Sequence, residues 1–109
     1  MTTFNERERA FETKFAHDAE MQFKAEARAS RLLGTWAAGE MGLMGEDAEA
    51  YVQAAIKADL EEPGQEDLFR KVWADLQAKA IPIDEAGLRA KMAACLAEAK
   101  AQLLGEAGE

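Results

Sequence analysis

The chain has 109 residues, of which 49% are hydrophobic, and a formal net charge of −8. This length suits one compact domain with a single core. Residues 1–42 carry six basic and seven acidic side chains, and residues 43–109 carry seven basic and fourteen acidic ones. Such an acidic chain repels phosphate backbones and anionic lipid, so we expect neither nucleic acid nor insertion into a membrane.

The cellular compartment is indicated by what the sequence lacks. Cys95 is the only cysteine, so it has no partner for an internal disulfide. The N-terminus lacks the basic and apolar regions of an export signal, and no apolar run is long enough to span a bilayer. We therefore expect a cytoplasmic protein.

The first segment has the pattern of an amphipathic helix. Thr3 and Glu6 match a capping box, in which each side chain satisfies a backbone donor at a helix start. Phe4, Phe11 and Phe15 follow at intervals of seven and four residues, which places the three rings on one stripe. The apolar pattern continues towards Gly34 as one long helix, or as two helices with a break near residues 17–18.

Three further helices follow, separated by residues that end helices. A glycine cluster predicts a turn at 42–45, Pro63 with Gly64 ends the second helix, and Asp84 is placed to cap the last one. Gly105 is expected at the final helix end. The predicted apolar stripes are Gln22, Ala25, Ala29, Leu32, Leu33 and Trp36; Val52, Ala55, Ile56 and Leu60; Leu68, Phe69, Val72, Trp73 and Leu76; and Leu88, Met92, Cys95, Leu96, Ala99 and Leu103.

Four helices with short connections predict an all-α fold, a four-helix bundle. We assign residues 19–105 to this bundle. Residues 1–18 are expected to form an amphipathic, mobile N-terminal helical segment, and residues 106–109 a frayed tail.

The sequence offers no arrangement that assigns a catalytic site. His17 is the only histidine, and nothing in the spacing pairs it with Cys95 for nucleophilic catalysis or zinc binding. The glycine cluster, Gly39, Gly42 and Gly45, lacks the strand and the Gly-Lys-Ser/Thr ending of a phosphate loop. We therefore predict no enzyme activity, no metal and no cofactor, and interpret these glycines as helix ends.

The N-terminal segment is the best candidate for a binding element. A helix of about a dozen residues is marginal in water on its own, and its phenylalanines stabilise it only against a partner surface. Such an end frays alone and folds on binding. Alternatively, the segment packs permanently on the bundle, and the chain is a small regulatory bundle that binds adenine nucleotide near Trp36 and the glycine cluster.

Three stretches resemble a known family: FNERERAFETKFAHDAEMQFKAEARASRLLGTWAAGEMG, ADLEEPGQEDLFRKV and LRAKMAACLAEAK. The chain resembles the zeta subunit of alphaproteobacterial F1Fo-ATP synthases over essentially its whole length, most specifically at residues 10–25 and 32–38. The resemblance implies a protein inhibitor of ATP hydrolysis by F1, peripheral to the membrane-bound synthase. It also implies that synthesis is much less affected.

The resemblance further implies how the inhibitor works. The N-terminal helix would insert at a catalytic α/β interface beside the rotating γ subunit, and residues 19–105 would position it. By position, the apolar anchors are Phe4, Phe11 and Phe15. The corresponding polar contacts are Arg7, Arg9 and Lys14.

Overall fold

A computed structural model describes residues 19–60 and 65–107 of the chain. The described residues form four α-helices: α1 (Ala19–Glu40), α2 (Gly45–Leu60), α3 (Glu66–Ala78) and α4 (Glu85–Ala107). The predicted all-α four-helix bundle is therefore confirmed. The segment proposed to inhibit, residues 1–18, lies outside the described residues. None of the four described helices is long and apolar enough to cross a membrane.

The connection between α1 and α2 is a glycine-dependent helix end. The Leu43 N–H donates to the Ala38 carbonyl at 2.9 Å, and the Gly42 N–H donates to the Gly39 carbonyl at 3.1 Å. These two bonds define a Schellman motif, which requires a left-handed residue at the position of Gly42, whose φ is +75°. The turn predicted at 42–45 is confirmed.

The connection between α3 and α4 uses the same motif without glycine. The Ile81 N–H donates to the Leu76 carbonyl and the Ala80 N–H to the Gln77 carbonyl, both at 3.0 Å. Ala80 adopts the left-handed conformation, with φ +57°. After this turn the Asp84 carboxylate accepts a hydrogen bond from the Gly87 N–H at 2.7 Å. Asp84 is thus the predicted N-cap of α4.

One main core joins all four helices, and small residues dominate the contribution of α1. Its buried members are Ala29, Leu33, Ala37, Ala55, Leu68, Phe69, Val72, Leu76, Leu88, Met92, Cys95 and Ala99. Gly34 is also buried, and a Cβ there would lie 3.2 Å from the Val52 Cα. The small residues therefore let α1 and α2 approach each other closely.

Helix α1 is the centre of the arrangement, with α2 on one side and α4 on another. Ala25 near the start of α1 and Leu103 near the end of α4 share a second, smaller buried cluster, so these two helices run antiparallel. By contrast, Glu66 in the first turn of α3 pairs with Arg89 near the start of α4. An antiparallel pair would bring the start of α3 to the middle of α4, so α3 crosses α4 at an angle.

Two details of the helices differ from the sequence-based expectation. Leu60, predicted in the stripe of α2, is 55% exposed, whereas Asp59 is only 7% exposed. The buried face of α2 is Val52, Ala55 and Asp59, and Leu60 lies about 100° further around the helix. In addition, α4 runs through Gly105 to Ala107, beyond the predicted helix end, while residues 108–109 lie outside the described residues.

Candidate functional site

The six residues predicted to contact a partner lie in the N-terminal segment, outside the described residues. They are Phe4, Arg7, Arg9, Phe11, Lys14 and Phe15. The structure therefore neither brings them together nor separates them, and their roles stay predictions. What the structure does describe is the face of the bundle that directly follows this segment along the chain.

This face contains an open groove along α1, with a volume of about 850 Å³. Phe23 lies in it, and its side chain is prominent because the residue is 59% exposed. We call this surface the α1 groove. It is lined by Phe23, Lys24, Ala27, Arg28, Arg31 and Leu32 of α1, Gln53 and Ile56 of α2, and Gln102, Leu103 and Glu106 of α4.

Arg28 connects the first half of α1 to the last turn of α4 along one wall of the α1 groove. Its guanidinium donates to the two oxygens of Glu106 at 2.5 and 3.1 Å, and to the side-chain oxygen of Gln102 at 3.4 Å. Hydrogen bonding to Arg28 lowers the pKa of the Glu106 carboxyl below its ordinary value. The planar, two-pronged contact orients the last turn of α4 against α1.

A second polar feature is buried between α1 and α2. The Asp59 Oδ1 atom is buried without a hydrogen-bond partner. The Ser30 hydroxyl donates to the Glu26 carbonyl, with its oxygen 2.9 Å from that acceptor, and it also lies within hydrogen-bonding reach of the Asp59 carboxylate. Burial raises the pKa of Asp59 to about 6; the bond from Ser30 opposes that rise and the charge of Glu26 adds to it.

A third cluster joins α2 to α3. The Tyr51 hydroxyl donates to the Asp75 carboxylate at 2.8 Å, and the Lys71 ammonium donates to the same oxygen at 3.1 Å. Burial, followed by the hydrogen bond to Asp75, raises the pKa of Tyr51 well above its ordinary value. Lys71 also lies over the Tyr51 ring, 5.0 Å from its centroid. These contacts join α2 to α3, and each of the three side chains, Tyr51, Lys71 and Asp75, has a hydrogen-bond partner.

Trp36 and the glycine cluster have structural roles in the described bundle. Trp36 is half-buried against the main core, and Lys91 lies 5.4 Å from the centroid of its ring. Gly42 and Gly45 provide left-handed residues at the α1–α2 connection. Adenine-nucleotide binding near these residues is not tested by this geometry and stays a prediction.

The groups considered for catalysis do not form a site in the part of the chain that the structure describes. Cys95 is buried, and burial raises the pKa of its thiol, which disfavours the reactive thiolate. His17 lies outside the described residues. Across residues 19–60 and 65–107, no three His, Cys, Asp or Glu side chains are grouped to hold a metal ion.

A family model described as ATPase inhibitor subunit zeta matches residues 1–102. The chain belongs to the ATPase inhibitor subunit zeta family. This confirms the resemblance found in the sequence and assigns the chain an inhibitory role. For a member of the zeta family, such a role is regulatory and is exerted by binding the F1 ATPase of ATP synthase.

The zeta fold of this chain also matches a known structure. A structure determined by solution NMR shares 50% sequence identity with this chain. The match covers 79% of this chain and 98% of the chain in that structure, with a TM-score of 0.67. No curated protein matches the chain. This likeness supports the helical-bundle fold of the described residues of this zeta-family chain.

Sequence reasoning missed the α1 groove, although the signal was present. Lys24, Arg28 and Arg31 recur at intervals of four and three residues, which places three cations on one face of α1. The excess of acidic side chains in the chain as a whole obscures this local cluster of cations. Phe23 was missed for a different reason, since an exposed aromatic residue lies outside the apolar stripe that predicts a core.

Proposed function

We propose that the chain inhibits ATP hydrolysis by F1 by inserting residues 1–18, as an amphipathic helix, at a catalytic α/β interface beside the rotor. The observation that carries the proposal is that the family match begins at residue 1 and includes this segment. The core described above is built from residues 25–103. In the proposal, the segment acts as an effector joined to this bundle.

Physical chemistry supports an inserted helix of this composition. The phenylalanine stripe, Phe4, Phe11 and Phe15, gives the segment a continuous apolar face. Burying each ring in a partner cleft stabilises the complex by about 1.5–3 kcal/mol, and part of that gain offsets the entropy of ordering the segment. Arg7, Arg9 and Lys14 supply charged donors for carboxylates and carbonyls at the rim.

Inhibition follows from the place of insertion. A helix held at a catalytic α/β interface beside the rotating γ subunit obstructs movement at that interface. The bundle, residues 19–105, remains outside the cleft and positions the helix. In this proposal the chain is cytoplasmic and peripheral to the membrane-bound synthase.

The test is a pair of neighbouring substitutions in the segment. Phe11→Ala removes a predicted anchor, and Glu12→Ala removes a side chain that the helical pattern places off the stripe. We expect Phe11→Ala to raise the concentration for half-inhibition of F1 hydrolysis roughly tenfold to a hundredfold, as for a buried interface anchor. The Glu12→Ala chain should inhibit like the original.

The test compares the half-inhibition concentrations of the two variants with that of the original chain. Equal inhibition by the Phe11→Ala and original chains would contradict the assignment of Phe11 as an anchor. Failure of the original chain to inhibit F1 at any concentration would overturn the proposed function itself.

A further inference from the structure

The α1 groove brings together basic side chains of a chain that is acidic as a whole. The chain has a net charge of −8, yet the groove is lined by three cations, Lys24, Arg28 and Arg31, and by one acid, Glu106. Each of these cations pairs with a carboxylate of the chain, Glu20, Glu106 or Glu49, at the edge of the groove. The ammonium and guanidinium groups nevertheless line the concave surface, where they offer donors to the carboxylates of a partner.

The groove also offers an apolar contact. Phe23 is 59% exposed and lies one and two helical turns before Ala27 and Arg31 on the same side of α1. Leu32 and Ile56 line the groove beside it. A large exposed aromatic ring at the edge of a concave surface gains contact area when a partner side chain covers it.

Two of the cations are held loosely enough to change partners. The Arg31 guanidinium lies 3.9 Å from Glu49 and its side chain is 52% exposed. Lys24 pairs with Glu20 at 3.0 Å on the exposed surface of α1. Exposed ion pairs of this kind contribute little to stability, so a partner carboxylate can replace the internal one at small cost.

The position of the groove in the chain connects it to the inhibitory segment. Residues 1–18 lead directly into α1, which begins at Ala19. Phe23 and Leu32 therefore lie about 6 and 20 Å along the helix from its start. Along the chain, this face is therefore the first part of the described bundle that follows residues 1–18.

We propose that the α1 groove docks an acidic segment of F1 at the rim of the cleft that receives residues 1–18. Carboxylates of that segment pair with Lys24 and Arg31, and one of its apolar side chains covers Phe23. The Arg28–Glu106 contact keeps the wall of the groove in place. This inference rests on the proposed function and adds to it a second, electrostatic point of attachment.

The test uses the full chain with substitutions in the groove. Arg31→Glu reverses the least constrained cation, and Phe23→Ala removes the exposed ring. The matched control is Lys79→Glu, which makes the same charge change at the exposed end of α3, away from the groove. Circular dichroism establishes that all variants are folded, and binding to immobilised F1 is recorded separately from ATP hydrolysis.

The expected result is weaker attachment with intact inhibition at saturation. Arg31→Glu should raise the half-inhibition concentration by about tenfold or more at low salt, and Phe23→Ala by roughly fivefold. The difference between Arg31→Glu and the original chain should shrink towards an ionic strength of about 0.15 M and above. Lys79→Glu should stay within about twofold, as expected for a charge outside the interface.

Other outcomes would overturn the inference. Unchanged half-inhibition for both groove variants would show that the groove does not contact F1. Stronger inhibition by Arg31→Glu would indicate instead that the groove retains the chain's own N-terminal segment. If the original chain binds F1 in an Arg31-dependent way without inhibiting it, the proposed function fails and the docking surface stands.

Discussion

Asp59 is a buried carboxylate whose ionisation opposes folding. Its Oδ1 atom has no hydrogen-bond partner, and burial raises the pKa of the carboxyl from its ordinary value to about 6. Because the folded state holds this proton more tightly than the unfolded state, stability falls as the pH rises from about 4 through 6. At about 1.4 kcal/mol per pKa unit, the ionised Asp59 costs the fold up to about 3 kcal/mol at neutral pH.

The prediction for Asp59→Asn follows because ionisation of Asp59 lowers the stability of the fold. We expect the variant to be more stable than the original by about 1–2 kcal/mol at pH 7, since the amide carries no charge to desolvate. Below pH 4 the difference should disappear. Urea unfolding between pH 4 and 8 measures it, with Asp47→Asn, an exposed position in the same helix, as the control. Parallel pH profiles for the original and Asp59→Asn would contradict this account.

At the scale of the elements, α1 and α2 depend on small residues for their close contact. A Cβ at Gly34 would lie 3.2 Å from both the Ala55 Cβ and the Val52 Cα, and one of these is backbone. The helices would have to separate by a few tenths of an ångström to accept it. Gly39, in the same helix, has nothing within 4 Å of the corresponding position.

Opposite effects are therefore predicted for one substitution at two positions. Gly34→Ala should lower the free energy of unfolding by about 1 kcal/mol, because overpacking outweighs the gain in helix propensity. Gly39→Ala should raise it by about 0.5–1 kcal/mol, since only the propensity gain applies. Urea titration of both variants decides the matter. Stabilisation by Gly34→Ala as large as that by Gly39→Ala would show that the contact is not tight.

The elements also show how far sequence reasoning reached. The stripe of α3, with buried Leu68, Val72 and Leu76, was predicted correctly because large apolar side chains at helical spacing mark a core face. The packing face of α1 was only partly predicted, since its buried Ser30 and Gly34 carry almost no hydrophobic signal. Serine and glycine occur both on contact surfaces and on exposed ones, so neither marks a packing face in the sequence.

Helix ends could be predicted only where the residue type favours the observed backbone conformation. Asp84 was predicted as a cap because its side chain suits the role, and it accepts the Gly87 N–H. Ala80 could not be predicted in the left-handed region, because alanine disfavours it and only the surrounding bonds hold it there. The α1 groove combines residues from three helices, so it emerges only from tertiary structure.

At the scale of the whole molecule, the proposal divides the chain into an effector and a bundle that positions it. The two buried clusters draw their members from residues 25–103, so the bundle has a core of its own. Basic side chains in the α1 groove and the proposed anchors of residues 1–18 then act at adjoining points along the chain. We propose that affinity for F1 gains from both attachments, while inhibition depends on the inserted helix alone.

The most direct measurement is ATP hydrolysis by F1 during titration with the full chain and with a version lacking residues 1–18. We predict saturable inhibition by the full chain and none by the shortened one. The shortened chain should keep its helical circular dichroism and a melting temperature within about 3 °C of the original, since it retains both buried clusters of the described bundle. Equal inhibition by the two chains, or unfolding of the shortened one, would contradict the division into inhibitory segment and bundle.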